Sequence, residues 1–196
     1  NLVRLVFAFA FLCILTGFSR GMPLPLDAGT HQWVWLSVSG LIGFVMGDLF
    51  LFKAYVVIGA RISMLVMSLA PLVAALIGWL WLGETINYRQ GAGMLVTFTG
   101  IAIVILQRER RVLAKAGSKQ RNLRFSYPIA GLLLAFGGAV GQGVGLVLSK
   151  YGMQGYDVFA AVQIRIIAGM VGFLILFAVL KRWRYLKKVV NDHKGL

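Results

Sequence analysis

The chain has 196 residues, of which 59% are hydrophobic and 13% charged, with a mean hydropathy of +0.83. Soluble domains of this size carry about 25% charged residues, so a soluble globular fold is excluded. The formal net charge is +14, yet the cations fall between apolar runs, where they meet lipid headgroups. They are not interleaved with aromatic residues as a nucleic-acid surface requires, so no nucleic-acid partner is expected.

Six apolar segments follow one another, at roughly 2–18, 34–58, 62–82, 89–106, 128–148 and 159–180. Each is about as long as a bilayer-spanning helix needs to be. Between the first two, Ser19 to Asp27 includes Pro23 and Pro25 and reads as a loop. The second and third are separated only by Gly59-Ala60-Arg61, which predicts a tight antiparallel hairpin. Pro71 removes the hydrogen bond to the Met67 carbonyl and predicts a kink in the third. That segment ends at Leu82-Gly83-Glu84, after which Asn87 and Gln90 have the spacing of a capping box for the fourth. Glu84 is expected to cap or to pair with Arg89. The longest polar stretch, 107–127, separates two halves.

Two basic blocks stand out: seven Lys/Arg from Arg108 to Arg124 and six from Lys181 to Lys194. Counting by side, fifteen cations share the face of the 59–61 turn and the 107–127 loop, against Arg20, Arg89 and Lys150 on the other. The positive-inside rule makes the first face cytoplasmic. Trp33, Trp35, Trp79, Trp81 and Trp183 lie near segment ends, where an interfacial belt would place them. Cys13 is the only cysteine, which excludes an intrachain disulfide and a cysteine metal site. The chain opens at Asn1 inside apolar sequence with no basic n-region, so a missing start is expected rather than a signal peptide. His31, in a loop, and His193, in the tail, are the two histidines, and no HExxH, GxSxG or Walker sequence occurs. No enzyme activity, no cofactor and no metal site is expected.

Leu2-Val3-Arg4-Leu5 and Gln163-Ile164-Arg165-Ile166 each put one arginine near the start of an apolar helix. If the sixth segment repeats the first, the unit has five helices, and an odd number inverts the second copy in the membrane.

Gly47-Asp48-Leu49-Phe50-Leu51-Phe52-Lys53-Ala54, then Gly59-Ala60-Arg61, Ser68-Leu69-Ala70-Pro71-Leu72 and Leu82-Gly83-Glu84, strongly resemble the EamA family of the drug/metabolite transporter superfamily. Gln90-Gly91-Ala92-Gly93-Met94 and Thr99-Gly100-Ile101 continue the pattern. The likeness covers about residues 1–106 well and 128–180 more loosely. It implies an all-α integral membrane protein of ten helices in two inverted five-helix repeats. About six helices would be present here: residues 1–107 as helices two to five of the first repeat, 108–127 as a basic inter-repeat loop, and 128–196 as the start of the second. The first helix and the last three would be missing. Family members usually keep both termini cytoplasmic, which puts the 107–127 loop outside, opposite to the charge count. The orientation is left open between these two.

Asp48 lies well inside the second segment, where an ionised carboxylate costs several kcal/mol unless paired, hydrated or protonated. It reads either as a proton or substrate-amine site or as a structural hydrogen bond to a neighbouring helix. Lys53 is about 140° around the helix from Asp48, so it reads as a snorkelling cation or a pathway charge. Ser63, Ser68 and the carbonyl freed by Pro71 are candidates to line a midplane cavity, as interrupted helices do in transporters. Ser39, Gly43 and Gly47, and Gly137, Gly141 and Gly145, form small-residue stripes suited to close helix packing. Gln142 beside the second stripe either bridges helices or faces a cavity. Arg165 is an anion-binding candidate, an interfacial anchor or a carboxylate partner. The resulting expectation is a multi-pass secondary transporter in the inner or plasma membrane. It would move small metabolites, amino acids or drugs, as an exporter, by alternating access. Its partners are the bilayer, a small solute and protons as coupling ion. The rival readings are a lipid-linked substrate flippase of the same fold and a non-transporting scaffold.

Overall fold

The computed structural model describes residues 2–115 and 129–179, without the side chains of 105–115. All regular structure among the described residues is helical. The elements are α1 (Leu2–Arg20), α2 (Thr30–Gly40), a π-helical segment (Leu41–Gly47), α3 (Asp48–Ile58), α4 (Ala60–Met67), α5 (Ala70–Leu82), α6 (Tyr88–Lys115), α7 (Ile129–Met153) and α8 (Val158–Val179). Five stretches among these residues are long and apolar enough to cross a membrane: Leu2–Arg20, Thr30–Ile58, Ala60–Leu82, Ile129–Met153 and Val158–Val179. The remaining expected segment, 89–106, lies within α6.

Several boundaries differ from the expectation for local reasons. The second span begins at Thr30 rather than 34, with Trp33 N–H donating to the Gly29 carbonyl at 3.1 Å. His31 therefore sits in a polar first helical turn, not in a loop. α6 continues past 106 to Lys115, so the first part of the basic stretch is helical. The rest of that stretch, and the tail with Trp183 and His193, lie outside the described residues.

Contacts divide the chain into two compact units. One comprises residues 42–151. Here α3 and α4 form the expected hairpin, but the turn is shorter than three residues. Gly59 alone reverses the chain at φ 81°, ψ 156°, a region closed to side chains with a Cβ. Its N–H donates to the Tyr55 carbonyl at 3.1 Å, closing α3. Ala54 and Ile58 then face Ile62 and Val66, with Ala135 of α7 completing the cluster. Four-residue spacing on both arms lines up these apolar side chains. Gly131 brings α7 against the end of α3, since a Cβ there would lie 2.2 Å from Ile58 Cγ2.

At the kink expected from Pro71 the helical pattern lapses for two residues, Ser68 and Leu69, which keep right-handed dihedrals. α4 stops at Met67, Leu69 N–H turns back to the Val66 carbonyl at 3.0 Å, and α5 restarts at Ala70 with Pro71 in its first turn. Proline is tolerated there because its missing N–H has no intrahelical partner. Ser68 Oγ donates to the Leu65 carbonyl at 2.6 Å and occupies part of the loosened backbone. At the start of α6, Asn87 N–H donates to Gln90 Oε1 at 3.0 Å, one half of the capping box read from the spacing.

The other unit comprises residues 1–41 and 152–196. In it α1 and α2 both pack on α8. Leu36, Ala161 and Ile164 are fully buried at the α2–α8 contact. Gly40 lets the two backbones meet, because a Cβ there would lie 2.3 Å from the Arg165 carbonyl oxygen. α7 leads into α8 through Gln154 and Gly155, both at positive φ, and Tyr156 N–H closes the turn on the Met153 carbonyl at 2.7 Å.

Candidate functional site

Two glycine-bearing backbones build the site. Gly47 ends the π-helical segment, and Gly138 and Gly141 face it from α7. A Cβ on Gly141 would stand 3.0 Å from Gly47 Cα, and one on Gly138 would stand 3.2 Å from the Gly47 carbonyl oxygen. Such spacing leaves backbone against backbone with no side chain between. Gly137, named in the expected stripe, instead faces the Phe50 ring, from which an added Cβ would lie 3.6 Å away. Gly43 and Gly145 are buried, and Ser39 is fully buried in the other unit.

That close approach sets Asp48 against α7. Asp48 is 2% exposed, and Gln142 Nε2 donates to its Oδ1 at 3.2 Å. The carboxylate is the first residue after the seven-residue π segment Leu41–Gly47. A π turn carries more residues than an α turn, and such insertions recur at functional sites. Here the wide turn sets the rotation at which α3 presents Asp48 to Gln142. Two residues singled out separately by their polarity thus form one hydrogen-bonded pair across 94 positions of sequence.

The other candidates are not drawn into this pair. Lys53 is exposed on α3. Ser68 and Pro71 are exposed at the α4–α5 interruption. Ser63 is buried and its Oγ donates to the Gly59 carbonyl at 2.9 Å, an intrahelical role. Arg165 is 6% exposed on α8, the eighth residue of the helix, where its backbone carbonyl packs against Gly40.

Three polar groupings escaped the sequence reading. Gln163 is fully buried, and its Nε2 donates to the Pro23 carbonyl at 2.8 Å and to Thr16 Oγ1 at 3.2 Å. It ties α8 to α1 and to the loop that follows. A glutamine two residues before Arg165 in a helix of otherwise apolar composition was the available signal. At the loop ends, Arg20 pairs with Asp27, Tyr156 Oη donates to Asp27 Oδ1 at 2.8 Å, and the Arg20 guanidinium lies 5.2 Å from the Tyr156 ring centre. The Tyr156 hydroxyl, followed by Arg20, holds the Asp27 carboxyl below the usual carboxylate range. Burial pushes the Tyr156 phenol up. Finally, Glu84 pairs with Lys150 of α7, not with Arg89. Arg89 stacks on its neighbour Tyr88, 5.7 Å from the ring centre. The return of the chain at Gly83 aims Glu84 back over α5, where α7 ends, and away from α6.

Five apolar helical stretches long enough to cross a bilayer define a multi-pass membrane protein. The EamA-like transporter family matches residues 1–106, more than half of the chain, and the protein belongs to that family. No curated protein and no solved structure matches the chain. Membership places the chain in the bilayer with a small-molecule solute as its partner, within the drug/metabolite transporter superfamily.

Proposed function

We propose that this protein is a secondary exporter of small metabolites, amino acids or drugs in the inner or plasma membrane, working by alternating access and coupled to protons through Asp48. The observation that carries the reading is the buried Asp48–Gln142 pair beside the π-helical segment. A carboxylate at membrane depth has to be paired, hydrated or protonated. Gln142 stabilises the charged form through its N–H, and its amide can turn to accept from the protonated form. Asp48 therefore has a partner in both states, as a group that loads and releases a proton requires.

The α4–α5 interruption supports a solute path on the same unit. Pro71 leaves the Met67 carbonyl without its helical donor, and Ser68 stands beside it, a pattern used for substrate contact in broken transporter helices. Arg165 is the anion-side candidate and Lys53 the pathway cation. Transport on this reading involves no covalent step and no bound cofactor.

The test is solute-driven proton movement in vesicles containing the protein, compared with Asp48→Asn and Asp48→Glu. Asn keeps the size and hydrogen bonding of the side chain but holds no proton. The expected result is loss of proton dependence in Asp48→Asn with the fold retained, and partial recovery in Asp48→Glu. Proton-dependent flux unchanged in Asp48→Asn would overturn the coupling role.

A further inference from the structure

A cavity of about 180 Å³ opens between α5 and α7, away from Asp48 and Gln142. Its walls are aliphatic and mostly small: Ala74, Ala75 and Gly78 from α5, Leu146 and Val147 from α7. The one polar feature is at the end where the helices terminate, where Glu84 and Lys150 form their ion pair. The Glu84 carboxylate lies over Gly78, and a Cβ at that position would sit 3.2 Å from Oε2. The absence of a side chain at Gly78 thus lets the charge lean into the groove. Lys150 is exposed, with 63% of its side chain accessible, whereas the Glu84 side chain is 38% exposed and buries the Oε1 that faces Lys150.

We propose that this groove is a lipid site selective for a primary-amine zwitterionic headgroup, that of phosphatidylethanolamine. Depth decides that the occupant is amphiphilic. Lys150 is three residues from the end of α7 and Glu84 two residues beyond the end of α5, so the charges stand at the level of the headgroups. Trp79 and Trp81, 50% and 62% exposed, mark the same level. From Gly78 to Ala74 the groove then descends about one helical turn toward the hydrocarbon, at roughly 1.5 Å per residue. A volume of 180 Å³ equals about six water molecules at roughly 30 Å³ each. That accommodates a short length of acyl chain below a headgroup, while the remainder of the lipid lies along the helices.

Charge complementarity decides the headgroup. An anionic lipid satisfies Lys150 but meets Glu84 with like charge, and a purely cationic amphiphile reverses the conflict. A zwitterion answers both, phosphate to Lys150 and ammonium to Glu84. Between zwitterions, ethanolamine has three N–H donors for the carboxylate, whereas choline has none. The site is independent of the coupling role assigned to Asp48, which lies outside the groove.

The experiment is native mass spectrometry of the detergent-solubilised protein titrated in parallel with phosphatidylethanolamine, phosphatidylcholine and phosphatidylglycerol of identical chains. Retention of phosphatidylethanolamine is expected at roughly tenfold lower concentration than phosphatidylcholine, the scale of one charge-assisted hydrogen bond. Glu84→Gln should erase that preference while leaving phosphatidylcholine binding in place. Lys150→Ala should weaken binding of all three phospholipids. Lys150 is exposed and Glu84 half-buried, and circular dichroism checks that the fold is kept in both variants. Equal retention of the three lipids by the unaltered protein would overturn the proposal, as would a preference that survives Glu84→Gln. Displacement by free phosphoethanolamine as effectively as by the lipid would overturn the lipid assignment and leave a soluble zwitterion site.

Discussion

Gly137 and Gly141 stand four residues apart on α7, and adding one methyl group to each should have opposite effects. At Gly137 the new Cβ meets nothing closer than the Phe50 ring at 3.6 Å, an ordinary contact. Helix propensity then favours alanine by up to about 1 kcal/mol. At Gly141 the new Cβ meets Gly47 Cα at 3.0 Å, Gly47 N at 3.3 Å and the Ile42 carbonyl oxygen at 3.5 Å. All three are backbone atoms, so no rotamer change relieves the contact. Carbon atoms are at their optimum separation from about 3.5 Å outward, which requires α7 to retreat by roughly half an ångström. The Gln142–Asp48 hydrogen bond, now 3.2 Å, then stretches past the range in which it counts as a bond. Overpacking of this kind costs about 1–3 kcal/mol, and losing a hydrogen bond to a charged group about 1.5–3 kcal/mol. After the gain in propensity, Gly141→Ala should be destabilised by about 1.5–5 kcal/mol, while Gly137→Ala should be unchanged or slightly stabilised. Unfolding in mixed micelles with increasing dodecyl sulfate, followed by helical circular dichroism, reads both. Equal stability of the two variants would refute the backbone contact at Gly47, and with it the account of how Asp48 reaches Gln142.

Gln163→Leu should cost about 1–3 kcal/mol in the same assay, because the Pro23 carbonyl and Thr16 lose their buried donor. The loop ends should respond to acid. Asp27 has a lowered carboxyl pKa, so the stability it contributes is present above the ordinary carboxylate value of about 3.9 and disappears as pH falls through its lower folded value. Tryptophan emission from Trp33, beside Ala28 and Tyr156 in the same cluster, should therefore change only below about pH 4. Tyr156→Phe, which removes the leading cause of the lowered value, should move the change toward higher pH.

The spans and the hairpin were legible because length and polarity alone decide them in a bilayer. Runs such as 62–82 have no soluble alternative. Gly59 and Pro71 were legible because each acts on its own backbone. Asp48 and Gln142 stood out by their polarity in apolar helices, but their pairing was not readable, since nothing local relates positions 94 apart. The same limit hid the Arg20–Asp27–Tyr156 group, whose members come from the end of α1 and from two loops. For Glu84, sequence proximity pointed to Arg89, whereas the direction of the chain after Gly83 gives it Lys150. The π-helical segment had no signature at all. Leu41 to Gly47 reads as an ordinary apolar stretch, and only the backbone hydrogen-bond pattern distinguishes it.

That segment sets the rotational phase of α3. An α-helix fixes each residue about 100° from the last, whereas a single over-wide turn absorbs one residue without breaking the rod. At ordinary pitch the same sequence would carry the residues after the turn about 100° from their present bearing, so the face of α3 that Asp48 occupies is set by the pitch of the turn before it.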